Sequence, residues 1–416
     1  MTKGPEPRET EIGMIPEDWE VKEFSALFKV PLRNGLTRPT AVRGSGIKMV
    51  NMGELFAHDR MRNIIMERVP VSDKEKQDYL LATGDLMFAR QSLLRSGVGK
   101  CSIFLEDDED VTFEGHLIRV RLSEDYSPMF YYYFFKSEKG KSIIQAFSEQ
   151  VAASGIRGSD LARIPVPVPS LSEQQSISKI LSDLDSKIEL NQQMNKTLEA
   201  IGRAIFKHWF IDFEFPNEEG EPYKSSGGKT KDSELGEIPT EWDIRTVGDV
   251  MELAYGKALR DDMRLHGTIP VFGSNGQIGW HDEKLVDGPG IIVGRKGNPG
   301  IVKWSQTDFF PIDTTFYVVP KHLIRSMHYL FYALQFQNLH SLAADSAVPG
   351  LNRNIVYTNK LVVPSPKILE AFDSRIRMLY AKVHVNDEQS RVLTEIRDSL
   401  LPKLMSGKIR VPVEVR

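Results

Sequence analysis

The sequence predicts an α+β (mixed α/β) protein with a pseudo-two-fold internal repeat, in which two long helices join two globular domains. Three observations predict this class. A tryptophan-containing motif occurs twice, two distant segments carry an apolar seam at helical spacing, and short strand-like runs precede helical patterns in both halves. The 416 residues suffice for two or three domains, each with its own core.

The repeated motif reads IGMIPEDWEV in the first half and LGEIPTEWDI in the second, which places Pro16 and Pro239 223 positions apart. Later anchors, such as Gly155 and Gly350, are 195 positions apart. The first copy therefore carries 28 more residues than the second between these anchors. Two related halves with divergent middles are predicted.

Each half ends in a segment with an apolar seam at alternating steps of four and three. The seam residues are Ile177, Leu181, Leu184, Ile188, Asn191, Leu198 and Ile205 in the first segment, and Phe372, Ile376, Leu379, Val383, Asn386, Leu393 and Leu400 in the second. Each helix is expected to span about 35 to 40 residues, or roughly 55 to 60 Å. The matching phase predicts a mutual coiled coil, and two unrelated core helices are the alternative.

The ends of both helices carry recognisable signals. Ser170 and Glu173 have the spacing of a capping box, and Ser365 precedes a proline that suits the first helical position. Pro216 and Pro402 are expected to limit the far ends, because proline lacks the backbone N–H that a helix interior needs.

Both seams turn polar near their middles. Asn191 and Asn195 occupy seam positions in the first helix, and Asn386 and Ser390 occupy the corresponding positions in the second. If the helices pack antiparallel, these groups meet near the crossing centre. A buried asparagine layer could then fix the register, because misaligned pairing leaves an amide unsatisfied.

The middle of each half combines strand-like and helical patterns, separated by many turn residues. The strand-like runs are 86–90, 115–122, 290–293 and 315–319, and the helical patterns are 128–147 and 326–342. These patterns predict one α/β domain in each half.

Composition and motifs exclude several classes of protein. The net charge of −4 and 41% hydrophobic residues are ordinary for a soluble globular protein, and Cys101 is the single cysteine, which leaves no disulfide framework or cysteine-rich zinc site. The polar first residues do not resemble a secretory signal, and no apolar run is long enough for a membrane helix. We therefore expect a cytoplasmic protein with no membrane partner.

Catalytic and metal-binding motifs are also missing. The run YKSSGGKT has Tyr223 where the first glycine of a phosphate-binding loop belongs, and Leu94 stands in that place before GVGK. H-E-x-x-H, G-x-S-x-G, G-x-G-x-x-G and N-P-P-aromatic motifs do not occur, and the nine histidines are scattered. No catalytic residue, metal site or cofactor is predicted in this chain.

Cations cluster in acid-free stretches of both middles, beside Gly, Ser, Asn and Gln. Such loops suit DNA, where cations neutralise phosphates and planar groups bond to base edges, although solvated surface loops are the alternative. The candidate DNA-binding residues are Arg33, Arg38, Arg43, Arg90, Gln91, Arg95 and Arg157 in the first half, and Lys257, Arg260, Ser274, Asn275, Arg295, Lys296, Asn298, Asn352 and Arg353 in the second.

Three runs in order along the chain carry a resemblance to a known family. They are FKHWFIDFE at 206–214, DSELGEIP at 232–239 followed by Trp242, and LLPKLMSGKI at 400–409. Together they resemble the central and C-terminal regions of type I restriction-modification specificity subunits. The resemblance covers nearly the whole chain. It implies five segments: target-recognition domain 1 at 1–169, a first long helix at 170–215, a linker at 216–236, target-recognition domain 2 at 237–364, and a second long helix with a tail at 365–416.

The resemblance also implies a function and partners. Each recognition domain is expected to read one half of a bipartite, asymmetric duplex DNA target, while two antiparallel helices separate the domains. Two methyltransferase subunits and two restriction subunits would join it and supply the catalysis, with S-adenosylmethionine, ATP and Mg²⁺ bound in those partners. The alternatives are a DNA-reading subunit of a related defence or modification system, and a coiled-coil scaffold that binds only protein.

Overall fold

The computed structural model describes residues 7–92, 97–149, 155–265, 267–344 and 350–412. The chain forms two compact units. The first comprises Met1–Glu189 and Ser390–Arg416, and the second comprises Leu190–Gln389. The predicted domain boundaries stay a prediction, but the units divide the chain within both long helices, so each unit includes half of each helix.

The first unit is built on a five-stranded sheet, a three-stranded sheet and two small sheets. Its strands are β1 (Pro7–Thr10), β2 (Gly13–Pro16), β3 (Glu20–Glu23), β4 (Arg33–Asn34), β5 (Ile47–Val50), β6 (Arg60–Arg62), β7 (Glu67–Val69), β8 (Leu86–Ala89), β9 (Cys101–Glu106), β10 (Val111–Phe113), β11 (Leu117–Val120) and β12 (Pro165–Val168). The sheet orders are β4-β11-β8-β9-β6, β10-β5-β7, β12-β3 and β1-β2.

Short helices cover the sheets of the first unit. They are α1 (Met52–Ala57), α2 (Asp73–Tyr79), α3 (Pro128–Lys136), α4 (Glu138–Glu149) and α5 (Gly158–Ala162). Helix α3 begins at a proline after Ser127, whose hydroxyl accepts a hydrogen bond from Phe130 N–H. Its aromatic run is buried with Trp19 and the inner strands, and this cluster forms the main core.

The second unit repeats this plan with fewer elements. Long helix α6 (Leu171–Phe206) leads into it, and its strands are β13 (Thr230–Lys231), β14 (Ile238–Pro239), β15 (Asp243–Thr246), β16 (Met251–Tyr255), β17 (Ile269–Gly273), β18 (Gly276–His281), β19 (Gly290–Gly294), β20 (Val302–Ser305), β21 (Phe310–Pro311), β22 (Thr315–Pro320) and β23 (Lys360–Val363). The sheet orders are β16-β22-β19-β20, β18-β17-β21, β15-β23 and β13-β14. The remaining helices are α7 (Val247–Val250), α8 (Met327–Phe336), α9 (Ser341–Ala344), α10 (Arg353–Thr358) and α11 (Pro366–Met405).

The strand pairings confirm the internal repeat. In both units the central pair of the larger sheet is antiparallel, β8 with β11 and β19 with β22. The smaller sheet in both units combines one parallel and one antiparallel pair. The first unit has α1 and β6 between β5 and β7, where the second has only the two-residue turn 274–275. Part of the extra length of the first repeat is this insertion.

Helices α6 and α11 have 36 and 40 residues, as their seams predict. Ser170 Oγ accepts a hydrogen bond from Glu173 N–H at the start of α6, which confirms the serine half of the predicted capping box, while the carboxylate of Glu173 accepts from Trp19 and Arg410. The expectation that Pro402 ends α11 is wrong, because the helix continues through it to Met405. A proline in the last turn removes few helical hydrogen bonds, and burial of Leu404 and Met405 stabilises the extra turn.

The seam residues of both helices are buried or half-buried. At its ends the seam packs into the unit cores as well as against the other helix. Ile177 and Leu181 join the aromatic core of the first unit, whereas Phe372 and Ile376 join that of the second. Each long helix is therefore anchored in a globular core.

The polar layer forms within the second unit. Asn191 Nδ2 donates to the carbonyl oxygen of Asn386 at 3.3 Å and to Gln389 Oε1 at 3.1 Å. Asn195 Nδ2 donates to Asp387 Oδ1 at 2.7 Å. Further along α6, Phe206 contacts Phe372 of α11, whereas Asn191 bonds Gln389, so residue numbers rise along α6 as they fall along α11 and the predicted antiparallel packing is confirmed.

The two repeated tryptophans, Trp19 and Trp242, are contacted by side chains of different types. In the first unit Trp19 Nε1 donates to Glu173 Oε2 at 3.0 Å, and Arg410 bonds both Glu173 and Asp18. In the second unit the ring of Phe215 stacks on Trp242, with centroids 4.8 Å apart. The C-terminal tail thus contributes a charged network where the middle of the chain contributes an aromatic stack.

Candidate nucleic-acid interface

Arg295 lies where three chain segments of the second unit meet. It directly follows β19, and its backbone N–H donates to Thr314 O at 2.9 Å. Its own carbonyl accepts from Leu351 N–H at 2.8 Å. The loop after β19 is therefore fixed against the turn before β22 and against the segment that leads into α10.

Three polar candidates hold these loops together. Ser274 Oγ donates to Thr314 O at 3.0 Å and also bonds the carbonyl oxygen of Lys296. Asn298 Nδ2 donates to Asn275 Oδ1 at 2.6 Å. These bonds occupy part of the hydrogen-bonding capacity of each side chain, so the three residues shape the surface that the neighbouring cations occupy.

Two arginines of this loop cluster converge on one tyrosine ring. The guanidinium carbon of Arg295 lies 5.0 Å from the ring centroid of Tyr255, and that of Arg353 lies 4.6 Å from it. Lys296, Asn352 and Lys257 lie close by in sequence and are exposed. The structure therefore brings together Lys257, Arg295, Lys296, Asn352 and Arg353, which are far apart in the chain.

The first unit has the same backbone arrangement. Arg90 follows β8, the counterpart of β19, and its N–H donates to His116 O at 2.9 Å. Its carbonyl accepts from Ile156 N–H at 2.9 Å, while Gln91 forms a β-bridge with Gly155. This places Arg90, Gln91 and the exposed Arg157 together. Arg95 lies outside the described residues.

The remaining cations of the predicted set are paired with acids. Arg38 Nη2 lies 2.6 Å from Glu75, Arg43 Nη1 lies 2.7 Å from Glu67, and Arg33 Nη1 lies 3.2 Å from Asp78, while Arg260 is paired with Asp262. The hydrogen bond from Arg38, together with bonds from Ser72, lowers the pKa of Glu75 to about 2. The stretch around Arg38 is acid-free in sequence but not in space.

Sequence reasoning missed Tyr255. This residue is 51% exposed and ends β16, the edge strand of the larger sheet. Its position directly before Gly256 and Lys257 was an available signal, because exposed aromatic residues beside cations are typical of nucleic-acid surfaces. The assignment of individual residues to DNA contact stays a prediction.

The described part of the chain was also compared with the requirements of a metal site, a reactive cysteine and a membrane helix. Within those ranges no cluster of three or more His, Cys, Asp or Glu side chains could hold a metal ion. Cys101 is buried, and desolvation raises the pKa of its thiol well above the usual value, which disfavours a reactive thiolate. A search of the described helices finds none that is both long and apolar enough to cross a membrane.

Comparison with known proteins decides the family. A family model described as the type I restriction modification DNA specificity domain matches residues 16–200 and 239–379. The chain belongs to this family. The two matches begin at Pro16 and Pro239, the same position of the repeated motif, so each repeat contains one specificity domain.

Relatives and a solved structure agree with this family. The chain is 26% identical to the type I restriction enzyme MjaIX specificity subunit of Methanocaldococcus jannaschii, over 97% of this chain and 96% of the relative. It is 21% identical to the HindI specificity subunit of Haemophilus influenzae, over 87% and 94%. The crystal structure of a type I restriction-modification S subunit from M. genitalium shares the fold, with a TM-score of 0.55, 18% identity and coverage of 93% and 96%.

Membership connects the chain with DNA target recognition, which is the role of the family. Specificity domains of type I restriction-modification systems recognise DNA targets, and the relatives are named as specificity subunits. In this specificity subunit, Arg90 and Arg295 occupy corresponding places at the ends of β8 and β19. The clusters built around them are the candidate DNA-reading surfaces.

Proposed function

We propose that this specificity subunit binds a bipartite, asymmetric duplex DNA target, one half-site per recognition domain. The observation that carries the proposal is the repeated backbone link, Arg90 O to Ile156 N–H and Arg295 O to Leu351 N–H, which displays a cation-bearing loop in both repeats. Cations neutralise phosphates, and guanidinium and amide groups bond to base edges.

The two half-sites should differ in sequence. The loops share a backbone frame but not their side chains, since Arg90, Gln91 and Arg157 correspond to Arg295, Lys296 and Asn352. Different side chains in the same place present different donors and acceptors to base edges. An asymmetric target is therefore the expected product of this duplication.

Helices α6 and α11 are proposed to orient the two readers and to dock partners. Each helix contributes to the core of both units, so the pair links the domains by regular structure. Exposed apolar side chains along the helices, among them Leu190, Val385 and Ile396, offer surface for a second protein. We propose two methyltransferase subunits and two restriction subunits as partners.

Catalysis is assigned to those partners. Adenine methylation would use S-adenosylmethionine in the methyltransferase subunits, and DNA translocation with cleavage would use ATP and Mg²⁺ in the restriction subunits. The assembly would act on DNA in the cytoplasm of a bacterium or archaeon. The present chain supplies sequence recognition and the frame on which the others assemble.

Methylome sequencing tests the proposal. Cells that lack other methyltransferases would express this chain with the methyltransferase encoded beside it. We expect one methylated motif with two unlike halves and an unspecified gap of fixed length. A methyltransferase that works equally well without this chain, or a motif in one continuous block, would contradict the proposal.

A further inference from the structure

Two guanidinium groups share one aromatic ring in the second unit. Arg295 and Arg353 lie over Tyr255, and Arg295 also lies 5.9 Å from the ring centroid of Phe316. Tyr255 is half exposed, so the two cations sit at the surface of the loop cluster. A ring face attracts cations through its quadrupole, which offsets part of the repulsion between them.

Each arginine is held in place by a backbone carbonyl. Arg295 Nη1 donates to Asp313 O at 3.0 Å, and Arg353 Nη1 donates to Leu253 O at 3.1 Å. Neither forms an ion pair with an acid of the described residues, unlike Arg33, Arg38 and Arg43. Two anchored cations with further N–H donors open to solvent form a prearranged anion site.

We propose that Arg295 and Arg353, positioned by the ring of Tyr255, bind one phosphate group of the DNA backbone. This inference rests on the proposed DNA-binding function. A phosphate suits the site better than a base edge, because two full positive charges held within 5.0 Å of one ring centroid match an anion, whereas base edges carry only partial charges. Tyr255 is a positioning residue, since it acts through the two arginines.

The site belongs to the second repeat alone. The counterpart of Tyr255 in the first repeat is Asn34, since Asn34 pairs with β11 at the position where Tyr255 pairs with β22. The counterpart of Arg353 is Gly158, which lies 195 positions earlier. The first repeat therefore keeps Arg90 but lacks both the ring and the second arginine. The two recognition domains should therefore differ in how strongly they bind the DNA phosphate backbone.

The test measures DNA affinity against salt concentration for the complex of this chain with its methyltransferase. Duplexes with and without the methylated motif serve as probes. Tyr255→Leu and Arg353→Gln should each weaken binding to both duplexes by roughly tenfold at 0.1 M salt and reduce the salt slope by about 0.9, as loss of one phosphate contact does. Tyr255→Phe keeps the ring and should restore both values.

A matched control and the contrary outcomes complete the test. Arg245→Gln removes one cation of the same unit that is already paired with Asp243, and should leave the salt slope unchanged. If Tyr255→Leu and Arg353→Gln leave the slope unchanged, or relax the target at one base pair only, the phosphate site is refuted. If the unaltered complex binds neither duplex, the proposed function itself fails.

Discussion

Asn386 Nδ2 donates to Asn195 Oδ1 at 2.8 Å, and this bond joins the two long helices in a buried layer of the second unit. With Asn191 bonded to Gln389 and Asn195 bonded to Asp387, the layer uses amides from both helices. Burial raises the pKa of Asp387, although the hydrogen bond from Asn195 opposes that shift. A polar layer of this kind favours the one register in which its members meet.

Changing Asn191 and Asn386 together to Leu tests this role. We expect the double variant to remain helical but to lose its unique register, because apolar seams tolerate sliding that asparagine layers penalise. Methyl NMR of the introduced leucines should then show more than one set of signals. If the variant is more stable and shows a single set, the layer does not set the register.

A buried ion pair in the first unit gives a second prediction. Asp185 accepts from Tyr133 Oη and from Arg397 Nη1, both at 2.7 Å, and its side chain is 6% exposed. The corresponding contact in the second unit is neutral, a hydrogen bond of 3.2 Å between the hydroxyls of Tyr332 and Tyr380. The charged contact of the first unit joins α3, α6 and α11, whereas the neutral contact of the second unit joins α8 and α11.

Arg397→Met should destabilise the first unit by about 3 to 5 kcal/mol, because it leaves the Asp185 carboxylate buried without its cation. Tyr380→Phe should cost only about 1 kcal/mol, since it removes one neutral hydrogen bond. Urea unfolding of both variants compares the two values. Equal losses would show that Asp185 is hydrated after the substitution.

The sequence predicted the two long helices better than the contacts of the surface loops. Seam periodicity located α6 and α11 to within a few residues, because one buried stripe imposes a regular spacing. It could not show that Pro402 is tolerated, since burial of Leu404 comes from tertiary packing. The 28-residue mismatch was visible, but its partial origin in α1 and β6 required the strand order.

The candidate site was predictable by residue type only. Arg38 and Arg295 both stand in acid-free stretches, yet Arg38 pairs with Glu75, 37 positions away, and Arg295 has a tyrosine instead. Such long-range pairing is set by strand order and loop path, which local composition does not encode. Tyr255 was missed for the same reason, because its two arginines come from distant segments.

Arg90 and Arg38 therefore make a contrasting pair of substitutions. Arg90→Ala should weaken DNA binding or relax one target position by about 1 to 3 kcal/mol, because a cation at the reading loop is lost. Arg38→Ala should chiefly lower the free energy of unfolding, since it removes the partner of Glu75. Binding titrations and thermal unfolding of both variants separate these effects. A larger binding loss for Arg38→Ala would reverse the assignment.

The network of Arg410 with Asp18 and Glu173 predicts that the stability of the first unit depends on pH. The hydrogen bond from Arg410 lowers the pKa of Asp18 below its ordinary value of 3.8, despite some desolvation. A carboxyl whose folded pKa is depressed adds stability above its unfolded pKa and loses that contribution as the pH falls through the folded pKa.

Arg410→Met should thus destabilise the first unit at pH 7, and the Asp18 pair should account for at most about 1 kcal/mol, because solvent screens a carboxyl that is 50% exposed. That part of the loss should shrink at about pH 3, since the stabilisation is lost as the pH falls through the lowered folded pKa of Asp18. Urea unfolding at both pH values measures the difference. Phe215, which stacks on Trp242 in the second unit, has no such group, so Phe215→Leu should destabilise equally at both pH values. A cost for Arg410→Met that does not change with pH would exclude the Asp18 pair as its cause.

The length of the helix pair should set the gap between half-sites. One heptad inserted after Asn191 and one inserted at the facing position after Asn386 keep both seams in phase and lengthen each helix by about 10 Å. At 3.4 Å per base pair, the tolerated gap should grow by up to about three base pairs, or binding should be lost if the added rotation misaligns the readers. A heptad in α6 alone shifts the two seams out of register by seven residues and serves as the control. Methylome sequencing of cells with the paired insertion reads the gap directly, and an unchanged gap would show that the helices do not measure the distance.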